Sequence, residues 1–179
     1  MPCLKYSLII KIFENGKINI ETSADVHQNT FWLPRFGFEF TLPKASNEFS
    51  YYARGPIESY IDMHHFAPVG LYKSNAENEY VPYVRPQEHG NHNNAKMLKI
   101  GKLEFLADGE FEFNVSEYTV NQIDKAEHTD ELKSDGNIHL RIDYKNSGIG
   151  SGSCGPLTAE KFRLSEKKIN FNFCIKPEI

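Results

Sequence analysis

A period of two between apolar side chains recurs along most of the chain. This alternation is found in residues 8–12, 18–20, 38–42, 49–51, 111–115, 138–144 and 169–175. Successive side chains of a β-strand point to opposite faces, so each run predicts a strand with one buried face. An apolar face needs a second layer to cover it. The pattern therefore predicts an all-β, antiparallel β-sandwich of about ten strands.

Turn and helix signals separate these runs. Asn15-Gly16 lies between two apolar runs and predicts a hairpin with a type I′ turn, because both residues accept positive φ. Asp108-Gly109 predicts a second turn, and residues 165–168 predict a closing hairpin. Residues 116–125 predict one short helix.

Composition narrows the class of protein. The 179 residues, of which 40% are hydrophobic, fit a single domain covering 1–179. The formal net charge is −4, and acidic and basic residues are well mixed along the chain. No basic stripe occurs, so nucleic acid is not an expected partner. No apolar run reaches membrane-spanning length, so a membrane is not expected either. A long apolar signal segment is missing from the start of the chain. The three cysteines, Cys3, Cys154 and Cys174, lie far apart, which argues against a disulfide framework and favours the cytoplasm.

Residues 148–156 form a glycine-rich stretch, GIGSGSCGP, between two strand-like runs. Glycine permits positive φ and a close approach of the backbone, so such a loop can lie against a ligand or a second chain. No helix follows it, so it does not match a nucleotide-binding fingerprint. A plain surface turn is the alternative interpretation, because Gly and Ser are the usual turn residues.

Residues 57–94 lack clear periodicity, and a stretch of this length is typically functional or forms an interface. Its tyrosines and polar residues suit recognition of a polar ring-shaped ligand or of a protein surface. Its four histidines are His64, His65, His89 and His92, but their spacing without a nearby cysteine does not predict a metal site. Its carboxylates Glu58, Asp62 and Glu88 could in principle supply a glycosidase pair, although their spacing is equally typical of loop carboxylates that accept backbone N–H bonds.

Five segments, taken in order, resemble the C-terminal domain of bacterial lac-type β-galactosidases of glycoside hydrolase family 2. They are LPRFG at 33–37, GPIESYID at 55–62, YVRPQEHGN at 83–91, FEFNVS at 111–116 and the glycine stretch at 148–156. The resemblance implies an antiparallel β-supersandwich of the galactose mutarotase type, here truncated on its N-terminal side. It also implies that the two catalytic glutamates and the magnesium and sodium sites lie in other domains, leaving no catalytic residue, metal or cofactor in this chain.

The same resemblance implies a site in the glycine stretch. In some members a tryptophan stacks on the sugar at the position that matches Cys154, and here the loop is one residue shorter. The substrate-binding residues carried over are Gly150, Ser151, Ser153, Cys154 and Gly155. Glu58, Glu88 and His89 are further loop residues considered for contacts.

The sequence thus predicts the C-terminal domain of a cytoplasmic β-galactosidase, which removes terminal non-reducing β-D-galactose residues. The expected partners are the remaining domains or a large chain of the enzyme and the β-galactoside itself, within a homo-oligomeric parent. The chain alone is predicted to be inactive, because positioning by a loop does not replace a missing nucleophile. Three alternatives remain open: an autonomous carbohydrate-binding module, a mutarotase-like epimerase that uses His89 and Glu88, and a purely structural β domain.

Overall fold

The computed structural model describes residues 3–150 and 157–178. In this part of the chain nine strands and one α-helix follow one another, with three single-turn 3₁₀ helices between them. The strands are β1 Leu4–Ile12, β2 Ile18–Val26, β3 Arg35–Pro43, β4 Glu48–Arg54, β5 Val69–Asn75, β6 Asn91–Ile100, β7 Leu103–Ser116, β8 Asn137–Asn146 and β9 Lys168–Pro177. The helix α1 covers Val120–Lys125, and the 3₁₀ helices cover Lys44–Ser46, Thr129–Glu131 and Glu160–Phe162. All strand pairs are antiparallel, which confirms the all-β prediction with its single short helix.

The strand β7 is central to the sheet, because it pairs with three other strands. Its first residues pair with β9, its last residues pair with β8, and β6 lies along its other edge. The main strand order is β1-β2-β9-β7-β6-β4-β5, and β3 joins through β8. The turn predicted at Asp108-Gly109 is wrong: both residues belong to β7 and are exposed where the strand changes its partner from β9 to β8.

One part of the core lies between the strand pair β3-β8 and the strand pair β2-β9. Strands β3 and β9 share no ladder, yet the Phe38 and Phe173 ring centroids lie 5.4 Å apart, and those of Phe40 and Phe105 lie 5.5 Å apart. Because rings from unpaired strands interdigitate, the two parts of the sheet pack face to face as layers of a sandwich.

The predicted β1–β2 hairpin is confirmed, but its turn is not of type I′. Ile12 pairs with Ile18, so five residues connect the strands, and the Phe13 N–H donates to the Lys17 carbonyl at 2.9 Å. Gly16 has φ +77°, whereas Asn15 is not among the residues with positive φ. Only one of the two residues therefore uses the left-handed region.

Two other local predictions are wrong. Residues 57–94 contain β5 and the start of β6, which the pattern concealed because β5 is a sheet edge that exposes Val69 and Leu71. The closing hairpin at 165–168 does not form. Leu164 instead bridges to Leu33, while β9 begins at Lys168 and pairs with β2 and β7.

The helix α1 begins with a capping box. The Thr119 hydroxyl accepts from the Gln122 N–H at 3.2 Å, and the Gln122 side chain accepts from the Thr119 N–H at 2.9 Å. No helix in the described residues is long and apolar enough to cross a membrane.

Candidate functional site

The glycine stretch leaves the sheet at the end of β8, where Ser147 ties its two ends together. The Ser147 N–H donates to the Pro34 carbonyl at 2.8 Å, and its hydroxyl donates to the Leu33 carbonyl at 2.5 Å. The same hydroxyl accepts from the Leu164 N–H at 2.9 Å. One buried side chain therefore joins residues 33–34, the start of the loop and the segment after it.

Asp62 holds the first arm of this loop. Its two carboxylate oxygens accept from the Ile149 N–H at 3.0 Å and from the Gly150 N–H at 2.9 Å. Gly148 and Gly150 have φ +84° and +67°, a conformation that glycine adopts without strain. A Cβ on Gly148 would also lie 2.4 Å from Asp62 Oδ1, so the clamp requires glycine on two counts.

The remaining residues of the predicted substrate loop, Ser151, Ser153, Cys154 and Gly155, lie outside the described residues. Their predicted contact with a galactoside stays a prediction. Gly150 is described, and a Cβ built on it would lie 2.8 Å from the Thr158 hydroxyl. Arg163 Nε donates to the Thr158 carbonyl at 2.7 Å, so the second arm of the loop is anchored too.

Glu88 belongs to a network of charged groups. Arg35 Nη2 donates to its carboxylate at 3.0 Å, Arg141 Nη1 lies 3.4 Å from it, and the Tyr60 hydroxyl donates to it at 3.3 Å. Tyr60 is fully buried, and burial raises the pKa of its hydroxyl, helped by the nearby Glu88. Glu88 therefore holds the segment between β4 and β6 against the sheet.

Glu58 and His89 are also held by the chain itself. The Glu58 carboxylate accepts from the Tyr83 hydroxyl at 2.6 Å and from the Gly90 N–H at 2.8 Å. Burial raises the pKa of the Tyr83 hydroxyl, and so does its hydrogen bond to Glu58. His89 is buried, with Nδ1 2.7 Å from the Gln87 carbonyl oxygen. These contacts stabilise the loop segment between β4 and β6.

Sequence reasoning missed a polar face of the sheet that is buried. The polar positions of β6, β7 and β8 alternate with the apolar core, yet many of them are buried as well. Residues 58–90 cover part of this face through Ser59, Glu88 and His89. Arg35 faces Asp143, and Asp135 faces His139. The buried members are Asn91, Asn93, Glu112, Asn114, His139, Arg141 and Asp143. One sequence feature could have predicted this buried face. Charged and amide side chains occupy alternate positions of strands that lie next to a long irregular segment.

Two acids of this face, Glu112 and Asp143, are direct partners across β7 and β8. Burial, and then the neighbouring Asp143 carboxylate, raise the pKa of Glu112 to about 8. Burial also raises the pKa of Asp143 to about 6, although Arg35 and Arg141 oppose that shift. Arg35 Nε lies 3.4 Å from Asp143 Oδ2, so desolvation outweighs an ion-pair contact here.

Gly37 makes room for Asp143. The β3–β8 register shifts between Phe36 and Gly37, and a Cβ on Gly37 would lie 2.1 Å from Asp143 Oδ1. Gly37 thus leaves space for the Asp143 carboxylate, and Arg35, two residues earlier, lies against the same carboxylate.

The described residues offer no group of three His, Cys, Asp or Glu that could hold a metal ion. Another acid–base pair, His92 and Glu79, is sealed in the interior: Nε2 lies 2.7 Å from the Glu79 carboxylate, and Nδ1 lies 2.8 Å from the Arg54 carbonyl oxygen. The described contacts hold both arms of the loop in place.

Comparison with known proteins matches this architecture to one family. The model of the β-galactosidase small chain matches residues 1–175. The chain is 40% identical to a β-galactosidase of Actinobacillus pleuropneumoniae over 91% of its own length, 34% identical to one of Staphylococcus xylosus over 98%, and 39% identical to one of Kluyveromyces lactis over 90%. It spans only 16%, 18% and 16% of those relatives. The chain therefore belongs to the β-galactosidase small-chain family.

Proposed function

We propose that this chain is the part of a β-galactosidase that builds one wall of the galactoside pocket, while the rest of the enzyme supplies the catalytic glutamates. The family match and the small share of the relatives' length support this division. The observation that carries it is the clamped loop: Asp62 and Ser147 hold both arms of residues 147–164 at the end of β8. Such preorganisation is what a loop needs in order to position a substrate.

The reaction proposed for the complete enzyme is retaining hydrolysis of terminal β-D-galactose. One glutamate attacks the anomeric carbon while another protonates the leaving oxygen, and water then releases the galactosyl group. This chain contributes positioning through Gly150 and the loop residues beyond it. Its carboxylates Glu58, Asp62 and Glu88 hold the fold together, which favours an inactive isolated chain. A cytoplasmic setting, favoured by the cysteine usage, completes the proposal.

The partner of the chain is the remainder of the β-galactosidase, and β1 is the proposed docking surface. Tyr6, Leu8, Ile10 and Ile12 pair with residues of β2 on its core-facing side, yet they are 69%, 39%, 54% and 75% exposed. The outer edge of β1 has no neighbouring strand among the described residues. An apolar edge strand open on its core face is a surface that another strand and its side chains can complete.

A second copy fits this edge less well than a different chain does. If two β1 strands paired antiparallel over their full length, Lys5 would lie opposite Lys11 in both halves of the pair. Like charges directly opposite one another destabilise a strand pair. A strand from the remaining β-galactosidase can instead place an acidic or neutral residue there.

Reconstitution tests the proposal. The isolated chain, checked for folding in the same sample, is expected not to hydrolyse a chromogenic β-galactoside. Mixed or co-produced with the remainder of its β-galactosidase, it should restore hydrolysis, and the remainder alone should be inactive. Stoichiometric turnover by the isolated chain, or full activity of the remainder without it, would overturn the proposal.

The epimerase alternative gains no support from the described contacts. A mutarotase-like site on Glu88 and His89 conflicts with the arginine pair on Glu88 and the burial of His89. Among the tyrosines of residues 57–94, Tyr60 is fully buried and is therefore not available to an exposed sugar-binding surface.

A further inference from the structure

A polar cleft of about 410 Å³ lies beside the base of the clamped loop. Strands β6, β7 and β8 form its floor, and residues 161–166 form one wall. Small-molecule sites commonly occupy about 300–1,000 Å³. The cleft therefore has room for one or two sugar rings.

A β-bulge shapes the floor of this cleft. His92 pairs with Phe113 and Ala95 pairs with Phe111, so Asn93 and Asn94 lie opposite the single residue Glu112. Bulges commonly redirect side chains next to functional sites. The fold thus brings two adjacent amide side chains to the same cleft.

Asn94 is the one non-glycine residue with positive φ in the described chain, at 54°. Its side chain is held from both sides: Arg54 Nε donates to its oxygen at 2.7 Å, and its nitrogen donates to Glu110 at 2.5 Å. A left-handed conformation at a non-glycine residue is unfavourable and concentrates at functional positions. The two side-chain bonds stabilise it here.

The lining groups suit a neutral ligand rich in hydroxyl groups. Amide side chains donate and accept hydrogen bonds at once, as a sugar hydroxyl does, and Asn93, Asn94 and Asn146 supply three of them. Tyr144 and Phe162 are partly exposed at the walls, where Lys145 Nζ and Lys161 Nζ lie 4.9 and 4.7 Å from the respective ring centroids. The charged lining residues are three acids and three bases, so their formal charges balance; they are Glu110, Glu112, Glu166, Lys145, Lys161 and Arg163. Lys145 and Glu166 form an ion pair.

We propose that this cleft binds a neutral sugar ring, with Asn93, Asn94 and Asn146 as its hydrogen-bonding floor. The choice of a galactoside as that sugar rests on the proposed function. The site itself does not depend on a partner, because every lining residue named belongs to this chain.

The test is an NMR titration of the isolated, isotope-labelled chain with methyl β-D-galactoside and with lactose. Saturable shifts are expected for the backbone and side-chain amides of Asn93, Asn94 and Asn146, with a Kd on the order of millimolar. Asn94→Gly should weaken binding by about tenfold, because the amide is lost while glycine accepts the positive φ. Asn78→Gly, on an exposed turn outside the cleft, is the matched control and should bind as the parent chain does.

Lys161→Met is a second variant, which keeps the test informative if Asn94→Gly unfolds. Lys161 is exposed at the cleft, so the fold should persist, and loss of its ammonium group removes a hydrogen-bond donor for a sugar hydroxyl and should weaken binding. The proposal is overturned if no saturable shift occurs at the highest soluble sugar concentration. It is also overturned if the shifts cluster at residues 148–150 and both variants bind normally. Neither outcome depends on whether reconstituted enzyme hydrolyses a galactoside, so the two proposals fail independently.

Discussion

At the scale of single residues, the carboxylates divide between holding the loop and filling a polar interior. Asp62 receives two backbone N–H groups from the loop, whereas Glu58 and Glu88 fasten the segment between β4 and β6. Carboxylates, which suggest catalysis in a glycosidase relative, thus have a local structural role here. The contacts, not the residue types, distinguish the two roles.

Asp62→Asn tests the clamp directly. The amide retains one acceptor oxygen, so one of the bonds to the Ile149 and Gly150 N–H groups is lost, and their hydrogen exchange should quicken by about tenfold. In the reconstituted enzyme KM for the galactoside should rise more than kcat falls. Asp108→Asn, an exposed carboxylate on β7, is the matched control. Unchanged exchange at both amides would contradict the clamp.

Glu112 predicts how stability depends on pH. Its pKa in the folded chain is about 8, above the ordinary value of 4.5, so the folded state holds a proton that the unfolded state releases. The stabilisation is complete below pH 4.5 and is lost as the pH rises towards 8. Between pH 5 and pH 7 the free energy of unfolding should fall by roughly 2–3 kcal/mol from this group.

Glu112→Gln should remove that part of the pH dependence, because an amide mimics the protonated acid. Denaturant unfolding at pH 5 and pH 7 measures the difference between the variant and the parent chain. Glu39→Gln, at an exposed position of β3, controls for a simple change of net charge. A variant whose pH slope equals that of the parent chain would show that Glu112 titrates normally.

At the scale of elements, two strands take roles that periodicity did not reveal. The long β7 contains Asp108-Gly109 in its middle, a pair that is typical of a turn. The strand is nevertheless continuous, because it pairs first with β9 and then with β8. The edge strand β1 was predicted correctly as a strand, yet its apolar row is uncovered.

The paired substitution Ile10→Lys and Ile12→Lys tests β1 as a docking surface. Both side chains are more than half exposed, so the fold of the isolated chain should survive, while binding to the remainder of the β-galactosidase should weaken by at least tenfold. Pull-down and analytical ultracentrifugation measure the two effects. Leu71→Lys with Val69→Lys, on the opposite edge strand β5, is the matched control. Equal binding by the β1 variant and the parent chain would refute docking at this edge.

At the scale of the whole molecule, one continuous core links both layers of the sandwich. It includes residues of β2, β4, β6, β7, β8 and β9, with side chains of β3 packed against it. Phe113 sits near its centre, fully buried, with the rings of Tyr51 and His92 5.1 and 5.0 Å away. A substitution that removes the Phe113 ring should therefore destabilise the whole fold.

Phe113→Ala should lower the free energy of unfolding by about 3–5 kcal/mol, through lost burial and the cavity left behind. Phe31→Ala is the matched control: Phe31 is 90% exposed, and its loss should change stability by less than about 0.5 kcal/mol. Denaturant unfolding followed by both circular dichroism and tryptophan fluorescence measures the change. Similar effects for the two variants, or transitions that differ between the probes, would argue against a single cooperative core.

The sequence by itself determined the all-β class, the β1–β2 hairpin, the short helix and the core faces of β3, β8 and β9. Period-two alternation and capping residues act over a few neighbours, so they can be read locally. The tertiary structure alone decided that β7 spans both layers, that residues 55–90 help to bury a polar sheet face, and that Asp62 reaches Gly150. These depend on pairing partners distant in the chain, because burial of a polar strand face and capture of a loop amide are set by what packs against them.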